Sequence, residues 1–509
     1  VISRDAGMPD DVHVEITGFS FETENNQTLR GDWSTGYTEE LTLDIHGNCF
    51  KHVNTRNPGT DFALWVDGAN QVVRGATGAL RIYDNLFDVV TGGVLFEQCR
   101  AVDVLENTFN VTYEAVTFNY GGSSATTYGD QLVSRNTFTH VPVAWAFAIN
   151  NYHYGSGTYT MLPTTVSNNI FTSTGFTYAV AYGVVVSQSG THMYYINDNS
   201  ILSGTILKWG DYKHQADLDA TCNWWGTADY ALIIPRASVS VDLVPYLVDG
   251  TDSDMMTLGF QPVAGSCTGG PVHVYSDLAE TMLVSTHATI QDAIDDASTL
   301  AGYVVRADDG TFTENVSITK SLSLRGANYG TDGCSGGRGS ESIVDGLAAT
   351  AFTIMAGGVV IDGFEIRGAT GVSSSGYTGV SVRNNKFAVD GVGISVSSAA
   401  TSPGSTWAIE DNCIDLTAQL FGGTPTYGIL LAGISGTAAA TVDGNDISDG
   451  FYGYIAYGIA TTPVTRIENG SVTGAMQGVA LVNTLGGPLA PIDIEIVSLS
   501  LTSFSGSHP

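Results

Sequence analysis

Basic and acidic side chains suited to proton transfer are concentrated in one short stretch of the chain. Within seven residues of a sequence that has only five lysines lie Lys208, Asp211, Lys213 and His214. A lysine can act as a base, and nearby carboxylates can hold Ca²⁺ against an acidic substrate. These residues are therefore candidates for abstracting a proton from an acidic polysaccharide. An exposed loop with lysine–aspartate pairs explains the same residues, and we favour that interpretation.

A second acidic group is a candidate metal site. Asp249, Asp252 and Asp254 lie in a turn-rich stretch, and a bridging Ca²⁺ would relieve the repulsion among their carboxylates. Their spacing departs from the EF-hand pattern. A solvated turn without metal is the alternative that we favour. The sequence requires no other cofactor.

The cysteines indicate cross-linking rather than zinc. None of the six forms a CxxC pair, which argues against a zinc ribbon. Cys222 and Cys267 bracket the end of the first set of repeats described below. They are candidates for a disulfide, while unpaired cysteines packed in the core are the alternative.

A short phrase recurs along the chain: an apolar residue, two variable residues, an asparagine, one variable residue and a second apolar residue. Successive asparagines of the first set are 22 to 37 residues apart, so the local phrase is constant while the connections vary in length. The phrase includes Asn48, Asn85, Asn107, Asn136, Asn169, Asn199 and Asn223, and then Asn385, Asn412 and Asn445.

The residues around each asparagine have the composition of short β-strands. Apolar and polar residues alternate there, or β-branched and aromatic residues predominate. Asparagine tolerates the left-handed backbone conformation, so we expect it to turn the chain between two strands. Stacked asparagines would also join their side-chain amides in a ladder. The pattern predicts an all-β fold, a right-handed parallel β-helix; a β-sandwich would require hairpin dipeptides, and few occur.

Composition limits the classes of partner. The chain has 51 acidic against 19 basic residues and a formal net charge of −32, which argues against binding nucleic acid or anionic lipid. No apolar run has the length of a membrane span, so membrane insertion is not expected. We expect an extracellular, secreted protein at the cell surface. The chain opens with Val1 rather than methionine, and we interpret it as part of a longer polypeptide.

The repeats divide into two consecutive units. We predict a first unit at 1–247 that lacks an N-terminal cap, a linker at 248–272, and a second unit at 273–509. A threonine start signal and apolar spacing predict one short capping α-helix near 289–299. Trp224 and Trp225 are large enough to plug the end of the first stack of repeats. They are alternatively aromatic core filler or a platform for sugars.

Two of these segments resemble a known superfamily. The stretch from Ile290 to Asn328 is similar to the opening, and Asn223 to Leu247 to the ending, of many pectin-lyase-like right-handed parallel β-helices, especially large tandem-repeat secreted proteins of bacterial surfaces. The resemblance implies the fold. It leaves function open, because the superfamily includes lyases, hydrolases and non-catalytic surface proteins.

Three functions are consistent with these features. We favour a non-catalytic structural or adhesive protein, such as a stalk, adhesin or filament subunit, that assembles head to tail with itself. A calcium-dependent polysaccharide lyase is the second hypothesis, and a glycan-binding module without turnover is the third.

Overall fold

The structure divides into two units that each have their own core. It is a computed structural model, and it describes residues 2–3, 12–23, 29–32, 41–52, 62–67, 79–121, 127–140, 146–154, 160–172, 176–184, 194–209, 218–238, 241–397, 406–417, 420–421, 423–436, 439–461, 464–482 and 494–502. Unit 1 comprises residues 1–269 and unit 2 comprises residues 270–509. Residues 248–269, which the sequence places in a linker, therefore belong to unit 1.

Unit 1 is built from two long parallel sheets, named A and B here. Among the described residues, sheet A consists of Ile2–Ser3, Ser20–Thr23, Leu29–Asp32, Cys49–His52, Phe62–Asp67, Leu86–Glu97, Thr108–Gly121, Thr137–His140, Phe147–Tyr154, Ile170–Phe171, Tyr178–Val184, Ser200–Ile201 and Thr205–Trp209. Sheet B consists of Val12–Thr17, Leu41–His46, Ala79–Tyr83, Arg100–Leu105, Thr127–Ser134, Thr160–Met161, Thr164–Ser167, Tyr194–Asn197, Leu218–Asp219 and Val241–Asp242.

Unit 2 repeats this plan with sheets C and D. Sheet C consists of Val272–Tyr275, Leu283–His287, Val304–Ala307, Ser323–Arg325, Val360–Asp362, Ser381–Arg383, Thr406–Glu410, Ala439–Asp443, Thr465–Glu468 and Ile494–Val497. Sheet D consists of Gly310–Phe312, Val316–Ile318, Ser342–Asp345, Thr350–Ile354, Glu365–Ser375, Lys386–Ser397, Cys413–Leu416, Tyr427–Ala432, Asp446–Asp449, Tyr452–Tyr457, Ser471–Thr473, Gln477–Val482 and Ser500–Thr502. Two-stranded pairs join Tyr246–Leu247 to Cys267–Gly269, Leu420–Phe421 to Thr424–Pro425, and Ser435–Gly436 to Ala460–Thr461.

Strand pairing follows the sequence repeat. In sheet B, for example, Ile82 pairs with Val104, which pairs in turn with Val133 of the next repeat. All pairings of sheets A, B and D among the described residues are parallel, and sheet C has antiparallel pairs only at Val272–Tyr275. Parallel strands cannot be joined by a two-residue hairpin and need a longer crossover connection. The connections can therefore differ in length from repeat to repeat, while the phrase that forms the strands stays constant.

Each repeat turns at the residue before the phrase asparagine. The left-handed backbone lies at Glu106, Arg135 and Asn168, for instance, with φ of 58°, 59° and 58°. The expectation that the phrase asparagine itself is left-handed is wrong, since all ten are described and none has a positive φ. The asparagine side chain must point inward to form its bonds, so its neighbour makes the turn.

A short helix closes the start of unit 2, as the sequence pattern indicates. The α-helix spans Ile290–Asp295, and the Thr289 side chain accepts a hydrogen bond from the backbone N–H of Asp292 at 3.0 Å. Its buried side chains are Ile290, Ala293 and Ile294. Unit 1 contains a second helix that the sequence pattern did not indicate, Tyr230–Ile233, which continues as a 3₁₀ turn at Ile234–Arg236.

Candidate functional site

The phrase asparagines form two continuous side-chain ladders. In unit 1 each Nδ2 from Asn48 to Asn199 donates to the Oδ1 of the next asparagine at 2.9–3.0 Å. In unit 2 the same bond joins Asn385 to Asn412 at 3.1 Å and Asn412 to Asn445 at 2.8 Å. Every one of these side chains is buried. Because a buried amide without partners is costly, the ladder fixes the distance and register between repeats.

Backbone groups satisfy the remaining hydrogen-bonding capacity of the ladder amides. The Asn136 Nδ2 also donates to the carbonyl oxygens of Val104 and Ser134 at 2.9 and 3.0 Å. Its Oδ1 accepts from the backbone N–H of Asn107 at 2.9 Å. A fully bonded amide has no free donor to offer a ligand, so the ladder's role is structural.

An aromatic column runs beside the ladder in unit 1. Phe21, Phe50, Phe87, Phe109, Phe138 and Phe171 stack in succession with ring centroids 4.6–5.2 Å apart. These are the residues two positions after the asparagine, or after Phe19 in the first case. Parallel pairing in register places identical positions one strand spacing apart, which suits stacked rings.

Trp225 and Arg236 pack against each other at the last repeat of unit 1. Trp225 is buried, and the Arg236 guanidinium lies 5.1 Å from its ring. That guanidinium donates to the carbonyl oxygens of Trp225, Ile201 and Gly204 at 2.5–3.0 Å. Trp224 is half-buried and lies against Gly250, where any side chain would collide with its ring.

The structure places the candidate catalytic residues only in part. Lys208 lies in strand Thr205–Trp209 at a register position that follows Phe118, Asn151 and Tyr182 across sheet A. Phe118 and Asn151 are buried. Asp211, Lys213 and His214 lie outside the described residues.

The three acids of the candidate calcium site each close a separate turn. Asp249 Oδ1 accepts from the backbone N–H and the hydroxyl of Thr251 at 2.9 and 2.7 Å. The Asp254 carboxylate accepts from Thr257 and Met256 in the same way, and these bonds lower the pKa of Asp254. Within the described ranges, no three acidic, histidine or cysteine side chains converge as metal ligands.

A cluster on the outer face of sheet A was not anticipated from the sequence. The Arg30 guanidinium lies 4.6 Å from the Trp65 ring, and its Nη2 is 3.9 Å from the Asp67 carboxylate. Asp67 pairs in register with Glu97, which pairs with Asn119. We call Arg30, Trp65, Asp67, Glu97 and Asn119 the outer cluster. One sequence pattern could have revealed this cluster. Two apolar or small residues are followed by an acid or amide in Trp65–Asp67, Leu95–Glu97 and Thr117–Asn119.

The outer cluster contains a carboxyl group whose pKa is raised. Burial raises the pKa of Glu97, and the neighbouring Asp67 carboxylate raises it further, against the opposing effects of Trp65 and Arg30. The Asn119 Nδ2 donates to Glu97 Oε1 at 3.4 Å, while its Oδ1 is buried with no bonding partner. A half-buried acid with a raised pKa beside a second carboxylate is a candidate for a functional site, although structural networks of charges also shift pKa values.

Each unit also carries a segment that lies along the row of left-handed residues, which we call the corner. In unit 1 the hairpin 252–262 bonds Asn168: the Phe260 N–H donates to its carbonyl oxygen at 2.8 Å, and its Nδ2 donates to the Phe260 carbonyl at 3.1 Å. In unit 2 the segment 328–339 bonds Asn384 and Asp411. We call both corner segments.

Disulfides tie the corner segments down. Cys222–Cys267 has an S–S distance of 2.03 Å and joins the left-handed residue Cys222 to the chain just after the unit 1 segment. Cys334–Cys413 has an S–S distance of 1.98 Å and holds the unit 2 segment. The second pair was not foreseen, because Cys334 and Cys413 are 79 residues apart and only folding brings them together.

Comparison with known proteins yields one partial similarity. No family model matches the chain. Over 103 residues it is 36% identical to a protein of Methanothermus fervidus (strain ATCC 43054 / DSM 2088 / JCM 10308 / V24 S) named "Cell surface glycoprotein". The matched region is 20% of this chain and 15% of that protein. Within the described part of the chain, no helix is both long and apolar enough to span a membrane.

Proposed function

We propose that the protein is a non-catalytic structural component of an extracellular cell surface, a stalk, adhesin or filament subunit. In this proposal each unit is a right-handed parallel β-helix of the pectin-lyase-like type, and the two units are part of a longer tandem array. The single observation that carries it is the pair of uninterrupted asparagine ladders.

The ladders support this function because they join successive repeats into one continuous stack. Every repeat is bonded to the next by strand pairing, by an inward amide and, in unit 1, by stacked phenylalanine rings. Repeat proteins gain stability from nearest-neighbour contacts, so such a column can be extended without redesign. The similarity to a protein named as a cell surface glycoprotein supports the location. Unpaired strands at an open end would also allow head-to-tail association of copies.

Electron microscopy of the protein tests the proposal. We expect rods whose axial length is set by about 4.8 Å per repeat, and end-to-end assembly at high concentration. Calcium in the buffer is expected to favour assembly if it bridges acidic surfaces such as Asp249, Asp252 and Asp254. Compact particles that never associate, with or without calcium, would contradict it.

A second candidate function rests on the outer cluster. Trp65 supplies a half-buried aromatic ring, one side of which is occupied by the Arg30 guanidinium, and Glu97 supplies a carboxylate that can accept hydrogen bonds from a sugar. Glycan binding fits this chemistry. A calcium-dependent polysaccharide lyase that uses Lys208 or Lys213 stays a separate hypothesis, because Lys208 is in register with the buried Phe118 and Asn151 and not with the outer cluster.

Two measurements separate binding from turnover. Glycan-array binding that is lost on Trp65→Ala, with no unsaturated product from polyuronates, would identify a binding module. Formation of that product with calcium would identify a lyase. If the array shows no binding and no product forms, both glycan functions are rejected and the structural proposal remains.

A further inference from the structure

A groove opens along the corner at the first repeats of unit 1. It has a volume of about 570 Å³ and is lined by residues of four successive turns and by Leu258 of the corner segment. Phe19 and Leu258 are 56% and 54% exposed there. Cys49, a half-buried residue whose thiol is not in a disulfide, also lines the groove.

The same position in unit 2 holds a cross-linked segment. Cys413 directly follows ladder residue Asn412 and starts a strand of sheet D, as Cys49 follows Asn48 and starts a strand of sheet A. Cys413 is bonded to Cys334 of the unit 2 corner segment.

Glycine makes that close contact possible. Gly333 donates its N–H to the Asp411 carbonyl at 2.8 Å, and a Cβ on it would lie 2.6 Å from the Cys413 nitrogen. A glycine before the cysteine is therefore required for the segment to reach the corner.

The unit 1 corner segment contacts Asn168 and Arg135 through Gly259. Among the described residues, Leu258 is the member of that segment that lines the groove. The corner at Gly18, Gly47 and Asp84 has left-handed backbone like the covered corner of unit 2, so it presents the same turn geometry to an incoming chain.

We propose that this groove binds an extended, glycine-rich polypeptide segment that carries a cysteine, and that Cys49 forms a disulfide with it. The bond forms by thiol–disulfide exchange: the Cys49 thiolate attacks the cysteine sulfur of a segment that arrives as a mixed disulfide. A new S–S bond replaces the old one, and the departing thiolate takes up the proton that Cys49 released. The inference does not depend on the outer cluster or on glycan binding.

The probe is a synthetic peptide of residues 328–339 whose cysteine carries an aromatic thiol as a mixed disulfide. Release of that thiol from the peptide, when it reacts with the intact protein, is followed by absorbance and compared with release from a scrambled peptide of identical composition. We expect one equivalent of release and a rate at least tenfold above that of the scrambled peptide, because docking raises the local concentration of the reacting sulfur. Equal rates for the two peptides would overturn the proposal.

Variants locate the reaction. Cys49→Ser should abolish release, whereas Cys99→Ser should leave it unchanged, since the Cys99 thiol is fully buried and bonded to the Val66 carbonyl oxygen. Phe19→Ser keeps the thiol but removes an apolar wall, so it should reduce the preference for the native peptide while reaction with a small thiol reagent stays unchanged. Release that persists in Cys49→Ser, or a preference unaffected by Phe19→Ser, would count against a built groove.

Discussion

Replacing a central ladder asparagine tests the physical basis of the fold. Asn136 is fully buried and makes bonds on both sides of its repeat. Asn136→Ala would leave the Val104 carbonyl oxygen and the Asn107 backbone N–H without these partners. Each buried group without a partner costs about 1–3 kcal/mol, so we expect a loss of about 3 kcal/mol or more in the free energy of local unfolding.

Native-state hydrogen exchange measures this loss without assuming that the two units unfold together. A change of about 1.4 kcal/mol is tenfold in an equilibrium constant, so amide protection around residues 104–138 should fall about 100-fold. The matched control is Asn168→Gly, which keeps the left-handed turn and removes one bond to Phe260 at 3.1 Å. We expect that control to cost about 1 kcal/mol.

An isosteric variant gives the sign of the effect with pH. In Asn136→Asp the carboxylate would face the oxygens of Val104, Ser134 and Asn169, so its pKa in the folded state would be raised. The destabilisation relative to wild type should be small below the unfolded pKa of about 3.9 and grow as pH rises through the folded pKa. Equal protection in Asn136→Ala and Asn168→Gly, or a penalty for Asn136→Asp that is the same at pH 4 and 7, would refute the reasoning.

Three further predictions concern single contacts. Cys334→Ser should lower the stability of unit 2 by about 2–4 kcal/mol, and adding reductant to this variant should cause no further loss in that unit, as urea denaturation can show. Glu97→Gln should raise the melting temperature at neutral pH and not at low pH. Burial raises the pKa of Glu97, so the folded wild-type protein loses stability as the pH rises through that raised pKa, and the glutamine variant does not. Equal shifts in melting temperature at pH 4 and pH 8 would contradict this. Arg236→Lys should lower the exchange protection of residues 200–206 about tenfold, since an ammonium cannot bridge the carbonyls of Ile201, Gly204 and Trp225. Unchanged exchange would argue against a stabilising role for these bonds.

Much of the repeat architecture could be predicted from the sequence, because asparagine has the same structural role in every repeat. Asparagine at a fixed offset from two apolar residues predicted strands, stacking and an amide ladder, and the structure joins those asparagines. The same local logic located the helix at Ile290–Asp295, since its threonine cap and apolar spacing are adjacent in the chain.

What the sequence determined alone is therefore what depends on neighbours within a few residues: the strand phrase, the acidic surface and the capping helix. Only the tertiary structure decided which residue takes the left-handed turn, that residues 248–269 belong to unit 1, and that Cys334 meets Cys413. The outer cluster also needed it, because Arg30, Trp65 and Glu97 become neighbours only when separate repeats stack in register. Because the connections differ in length, the sequence does not show which residues of successive repeats lie side by side. Strand pairing in the folded protein sets that register.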